Sequence, residues 1–322
     1  MLAPRLSATP LPPLDASVPP WPGRRVQVGA ARVFVRATPP GGEPALLVHG
    51  LGGASTNWTD FAAQLEPWLA IEALDLPGFG RSGPAPGRDY SVCAHTRTVT
   101  RYLDESGRGP VHLFGNSMGG VIAILIAAQR PDLVRTLTLT SPAVPDLRPQ
   151  RLGTDPLLSF ALIPGTGGVI RRRLVRYPAD ARAHAVIDMC FADPSRVPPN
   201  RLAEAVEEIE LRDGYGWATD ALLRSLRGLV RTYLVTGHRS LWARMAAITA
   251  PTLIVWGARD RMVAPALAAR VARTIAGARL LVLPDVGHVA QLEDPVTTAR
   301  AALGLIEDAR RVGRSAGEGV AP

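Results

Sequence analysis

The sequence predicts an α/β fold: a mostly parallel central sheet with helices on both faces and a helical segment inserted late in the sheet. Three observations carry this. Short, nearly continuous apolar runs alternate with stretches of helical spacing. Several of these runs end in glycine-containing turns. The alternation lapses between about Ser141 and Ala250, where helix-like runs continue without a convincing strand.

Residues 1–23 form a proline-rich arm, with prolines at 4, 10, 12, 13, 19, 20 and 22. Proline lacks the amide proton, so neither helix nor ladder is expected there, and the arm reads as extended or as a disordered tail. Val26–Val35 alternates around a Gly-Ala turn and predicts a hairpin. The apolar runs Ala45–His49, Ile71–Asp75, Val111–Gly115 and Leu137–Thr140 follow as strands, and Leu253–Trp256 and Arg279–Leu283 complete the set after the gap. Helical spacing occupies Cys93–Glu105, Met118–Arg130 and Pro265–Ala276, and inside the gap Arg201–Leu211 and Ala221–Tyr233. The expected organisation is a core of residues 24–141 and 251–310, a helical cap at 142–250 and a fraying tail at 311–322. An insertion after a strand of a parallel sheet sits over the carboxyl edge, where open α/β folds bind ligands.

Composition narrows the function. The net charge is +8 and all 36 basic residues are Arg. With 5% aromatics and no nucleic-acid motif, this reads as compositional bias, and no nucleic-acid partner is expected. The densest basic cluster, Arg171, Arg172, Arg173 and Arg176, reads as a solvated helix face; the sharper alternative is a patch for an anionic substrate or membrane surface. Only Cys93 and Cys190 occur, which excludes a disulfide scaffold and a Cys-based zinc site; both read as buried thiols. Met118–Ala128, the longest apolar stretch, is about half a membrane span, so no integral membrane segment is expected. No apolar run follows Arg5, so no signal peptide is read and a cytoplasmic enzyme is the default.

The chemistry concentrates at Gly115-Asn116-Ser117-Met118-Gly119-Gly120, between a strand and an apolar helix. This is the G-x-S-x-G elbow in strand–turn–helix context: a sharp turn presents Ser117 above the sheet edge, and glycines at 115 and 119 let strand and helix approach. Serine needs a base, and the base needs an orienting carboxylate. Asp260 follows one strand in Trp256-Gly-Ala-Arg-Asp-Arg-Met-Val263, and His288 follows the next in Gly287-His-Val-Ala-Gln-Leu-Glu-Asp-Pro295. Asp146 is the rival acid, after the strand ending at Thr140. His238 reads as surface, and Asp75 as a structural turn residue.

On these motifs the chain resembles the α/β-hydrolase superfamily over residues 24–310, in its serine-nucleophile branch with a helical cap. The resemblance implies a Ser117–His288–Asp260 triad and an oxyanion hole built from the backbone amides of Leu51 and Met118. His49 then supports the glycine-rich loop His49-Gly50-Leu51-Gly52-Gly53, and the side chains of Leu51 and Met118 line the pocket. It implies no metal and no organic cofactor. Serine at the elbow, where epoxide hydrolases and haloalkane dehalogenases carry Asp, argues for an acyl-enzyme. A carboxylic ester with an apolar acyl group is the leading substrate. The Gly-Asn-Ser-Met-Gly-Gly elbow and Gln291 also resemble meta-cleavage-product hydrolases, which cleave carbon–carbon bonds, although the Gly-Pro-Gly loop is missing and Val289 replaces an aromatic. Thioesters, lactones, perhydrolase-type activity and a triad-retaining ligand receptor stay open. Leu157–Ile163 and Tyr215–Trp217 either line the pocket or pack in the core.

Overall fold

The computed structural model of the chain describes residues 2–146 and 161–318. Eight strands form one sheet: β1 (Gly23–Val28), β2 (Ala31–Ala37), β3 (Glu43–Val48), β4 (Leu69–Asp75), β5 (Val111–Asn116), β6 (Val134–Thr140), β7 (Thr252–Gly257) and β8 (Arg279–Leu283). Their order is β1-β2-β4-β3-β5-β6-β7-β8. The first hairpin and its junction with β4 are antiparallel, and all other pairs are parallel. The hairpin turns through Gly29 at φ 54°, a left-handed backbone that glycine adopts without strain.

Helices α1 (Thr59–Leu65), α2 (Val92–Ser106) and α3 (Met118–Gln129) connect the first six strands. Between β6 and β7 the described residues contain α4 (Gly167–Leu174), α5 (Ala179–Cys190), α6 (Pro199–Asp213), α7 (Ala218–Tyr233) and α8 (Leu241–Ala246), the helical insertion the sequence predicts. Helices α9 (Ala268–Thr274), α10 (Ala290–Glu293) and α11 (Pro295–Glu318) complete the chain. α11 opens on Pro295, with the Asp294 carboxylate accepting from Thr297 N at 3.0 Å, a capped start that needs no amide at the proline. It runs on to Glu318, so the helix extends past Arg311, where the sequence suggested fraying.

Strand burial explains the unbroken apolar runs. On β3, Leu46 and Val48 enter one core, shared with α2, α3, α8 and α9, while Ala45 and Leu47 enter a second, shared with α1 and α11. Ile254 and Trp256 of β7 divide from Leu253 and Val255 in the same way. A strand covered on both faces has no polar side to alternate with. Helix α3 is buried from Met118 to Ala127, consistent with its apolar character all round.

The proline-rich arm is extended and docked. Leu2 bridges to Arg279 of β8, and Ser7 N donates to Arg300 O at 2.9 Å. Arg5 pairs with Glu307 and, at 2.9 Å, with Asp308 on α11. The arm also reaches the insertion: Arg201 of α6 donates to Val18 O at 2.8 Å and pairs with buried Asp60 of α1 at 2.6 Å. Neither cysteine is disulfide-bonded, and the expectation that both are buried is corrected: Cys93 is exposed on α2 and Cys190 half-buried at the end of α5. Arg171, Arg172, Arg173 and Arg176 are exposed, as a solvated face requires. No helix among the described residues is long and apolar enough to cross a membrane.

Two buried histidines make the fold sensitive to acid. His95 on α2 bonds Ser225 of α7 at 3.0 Å, and His112 on β5 bonds Thr136 at 2.8 Å. Burial pushes His95 down to about 3 and His112 down to about 4. The unfolded chain takes up these protons near pH 6.5, whereas the fold resists them until much lower pH. Their contribution is therefore full above about pH 6.5 and is lost progressively as pH falls toward the folded values. Half-buried Glu204, Glu208 and Glu293 have raised pKa values and act with the opposite sign. The share of His95 is isolated by comparing wild type with His95→Gln in urea. The stability advantage of wild type is expected to shrink by about 2 kcal/mol between pH 6.5 and pH 5. An advantage constant with pH contradicts the assignment.

Candidate functional site

Ser117 stands at the junction of β5 and α3 with φ 53° and ψ −117°, outside the regions ordinary residues occupy. The surroundings hold it there. Ser117 N donates to Thr140 O at 3.1 Å, and Ser117 O accepts from Ala143 N at 3.0 Å and Val121 N at 3.2 Å. The elbow glycines are there for space: a Cβ on Gly119 would run into the Val48 carbonyl, and one on Gly115 into the Gly119 carbonyl. Ser117 is 9% exposed at the head of a helix whose first amides and dipole favour negative charge.

Asp260 and His288 follow β7 and β8 and meet. His288 Nδ1 lies 2.9 Å from Asp260 Oδ2, and both residues are buried. The other Asp260 oxygen accepts from Met262 N at 2.8 Å and Val263 N at 2.9 Å, so the carboxylate is held at both ends. Against an ionised carboxylate, Nδ1 carries the proton, and Nε2 is left as the acceptor. That Nε2 is buried and has no hydrogen-bond partner, so the Ser117 hydroxyl is not bonded to it. The two loops are nevertheless joined. The side chain of Asn116, the residue before Ser117, donates to His288 O at 3.2 Å and to Thr140 O at 3.1 Å.

The glycine-rich loop after β3 completes the turn. A Cβ on Gly50 would lie 3.0 Å from Ser117 Cβ, so the loop backbone lies against the serine. His49 Nδ1 donates to Gly50 O at 2.7 Å while Nε2 accepts from Leu76 N at 3.0 Å, which fixes one tautomer. Burial lowers the His49 pKa, in keeping with a neutral structural ring. Leu51 packs half-buried against the main core, and Met118 is wholly buried in it.

The insertion touches this site at both ends. His288 N donates to Cys190 O at 2.7 Å, at the end of α5. Glu293 accepts from Gly287 N and Ala192 N, each at 2.7 Å, tying the histidine loop to the same segment. Burial raises the Glu293 pKa. On the far side, Arg212 of α6 donates to Gly52 O at 2.7 Å. Sequence reasoning missed these contacts of Asn116, Cys190 and Arg212. Asn116 was visible as the variable residue of the elbow; nothing local marks the other two.

The remaining expectations fall out as follows. Asp75 is a turn residue: its carboxylate accepts from Ser55 N at 2.6 Å and Arg81 N at 2.8 Å. The histidine bonds Asp260, and Asp146 lies beyond β6. His238 is exposed. Tyr215 and Trp217 stack on each other at 4.8 Å. Residues 157–160 of the stretch Leu157–Ile163 lie outside the described residues; Ala161 packs with Ile170 and Leu223, and Ile163 is exposed.

Comparison with known proteins gives one family and a divided set of activities. A family model described as alpha/beta hydrolase fold matches residues 44–295. A 2-hydroxy-6-oxononadienedioate/2-hydroxy-6-oxononatrienedioate hydrolase of Cupriavidus pinatubonensis is 27% identical over 266 residues, covering 81% of this chain and 86% of that protein. Lipase 1 of Psychrobacter immobilis is 28% identical over 257 residues, covering 78% and 73%. Among solved structures, a bacterial membrane phospholipase A superposes with TM-score 0.73 at 27% identity, covering 90% of this chain and 86% of that one.

Proposed function

The chain belongs to the alpha/beta hydrolase fold family, and from that premise we propose that it is a serine hydrolase that cleaves a carboxylic ester through an acyl-enzyme. What carries the reading is the His288 ring: Nδ1 is engaged by Asp260, and Nε2 is buried without a partner, on a loop hydrogen-bonded to the residue before Ser117. An imidazole so arranged is a base waiting for a hydroxyl proton.

In this reading Ser117 Oγ attacks the ester carbonyl as His288 Nε2 takes its proton. The serine–histidine contact shortens when substrate arrives, as is common for catalytic hydrogen bonds open in the unliganded state. Asp260 holds the tautomer and offsets the imidazolium charge. The amides of Leu51 and Met118 donate to the oxyanion, in keeping with the loop lying against Ser117. His288 then protonates the departing alcohol, activates water against the acyl carbonyl and returns the proton to Ser117. The insertion, residues 142–250, acts as the cap. An apolar acyl chain suits the leucines at the loop, Leu51 and, from α7, Leu222, whose Cδ1 is 3.5 Å from a Cβ placed on Gly52.

A second reading, hydrolysis of a carbon–carbon bond in a vinylogous diketone, draws support from the Cupriavidus relative. It is weakened by Val289, which packs with Ile187 and Phe191 instead of presenting an aromatic ring beside His288. A panel of p-nitrophenyl esters of increasing acyl length, run beside a coloured dienoate substrate, separates the two. The best ester is expected to exceed the dienoate in kcat/KM by about two orders of magnitude or more. The opposite ranking moves the assignment to carbon–carbon hydrolysis.

A further inference from the structure

Four polar groups without partners belong to side chains around one cavity away from the catalytic turn. Trp21 Nε1, Arg36 Nε, Ser55 Oγ and Trp58 Nε1 are all buried and make no hydrogen bond. All four side chains line a single cavity of about 10 Å³, bordered by the arm, β2, β4 and the segment entering α1. Ser55 and Trp58 are 3% and 1% exposed, so solvent at the surface does not satisfy them. Buried polar groups are nearly always paired, and four orphans around one void point to an occupant.

The donor chemistry says which occupant. Two indole N–H groups and a guanidinium Nε–H donate and cannot accept. The Ser55 hydroxyl can donate as well, while the Thr59 hydroxyl in the same wall already donates to Thr56 O at 3.0 Å. A void of this size holds about one small species. A water molecule has two lone pairs, so it cannot accept from all three obligate donors at once, although it could donate to the Ser55 hydroxyl. The charge points the same way. Arg36 donates through Nη1 to Trp21 O at 2.6 Å, and Asp75, Glu204 and Glu208 act on it only at longer range, without an ion pair. Burial accordingly lowers its pKa, the mark of a guanidinium short of compensation.

We propose that this cavity binds one monoatomic anion of the halide class, chloride in ordinary salt, held by the two indoles and the Arg36 guanidinium. A halide accepts from several donors at once, as three N–H groups around one small void require. The ion clips Trp21, and with it the arm, onto the segment that follows the His49–Gly53 loop.

Crystals of the full chain grown in sodium bromide test this by anomalous scattering, and thermal melts in sodium chloride against sodium gluconate at equal ionic strength test it in solution. An anomalous peak is expected in the cavity. Melting temperature is expected to rise by about 2–4 °C for each tenfold of chloride above its dissociation constant. The rise should vanish in Trp58→Phe and in Arg36→Gln. A peak with no anomalous signal, or a chloride dependence the same in wild type and both variants, overturns the proposal. If neither variant folds, the bromide peak in the wild-type protein decides alone.

Discussion

Ser117→Ala is expected to lower kcat/KM on the best p-nitrophenyl ester by about four to six orders of magnitude. The size follows from the role: without the hydroxyl there is no acyl-enzyme, and His288 has no nucleophile to deprotonate. The protein should remain folded. The contacts that hold the turn use the backbone of residue 117, namely Ser117 N to Thr140 O and Ser117 O from Ala143 N and Val121 N, and alanine keeps them all. Alanine has no easier access to φ 53° than serine, so the strain is little changed. Stability in urea is expected to move by less than about 1 kcal/mol. A variant that is well folded and retains a tenth of the activity excludes Ser117 as nucleophile.

Asp260→Asn should cost about four orders of magnitude in kcat while leaving KM nearly unchanged. Asparagine can keep the acceptor for Met262 N and Val263 N, because that oxygen faces the backbone. The atom facing His288 Nδ1 then becomes an amide nitrogen, which donates where a carboxylate accepted. To avoid two opposed protons, the imidazole must move its own to Nε2, and an Nε2 that carries a proton cannot take one from serine. The fold survives and the base is lost. Asp146→Asn is the control, expected to change kcat less than about tenfold because the bond from His288 is to Asp260. If the two variants exchange effects, the acid has been misassigned.

Much of this was legible in the sequence because it rests on local pattern. A strand covered on both faces shows as an apolar run, as Ala45–Val48 and Leu253–Trp256 do. A tight turn shows as glycines where a Cβ has no room, as at 115 and 119. Asp260 and His288 were found by motif, each just past a strand, and their 2.9 Å contact is a consequence of β7 and β8 being neighbours. What the sequence hid depends on pairs far apart in the chain. Cys190 presents a carbonyl to His288 N, and a backbone acceptor has no residue signature. Arg212 looks like any helix arginine until α6 lies over Gly52. The arm offered prolines and no periodicity, so its docking through Arg5 and Ser7 onto α11 could not be read. Buried thiols were expected from the rarity of cysteine, yet position on α2 decides that Cys93 faces solvent.

The most direct measurement is of the covalent intermediate itself. The protein is treated with an alkyl fluorophosphonate, digested and sequenced by mass spectrometry, with rapid-quench acylation by a p-nitrophenyl ester in parallel. One equivalent of adduct on the peptide containing Gly115–Gly120, assigned to Ser117 and absent from Ser117→Ala, is the result predicted. Labelling of any other residue, or turnover of the ester with no acyl group on this peptide at any time, contradicts the assignment of Ser117 as the group that is acylated.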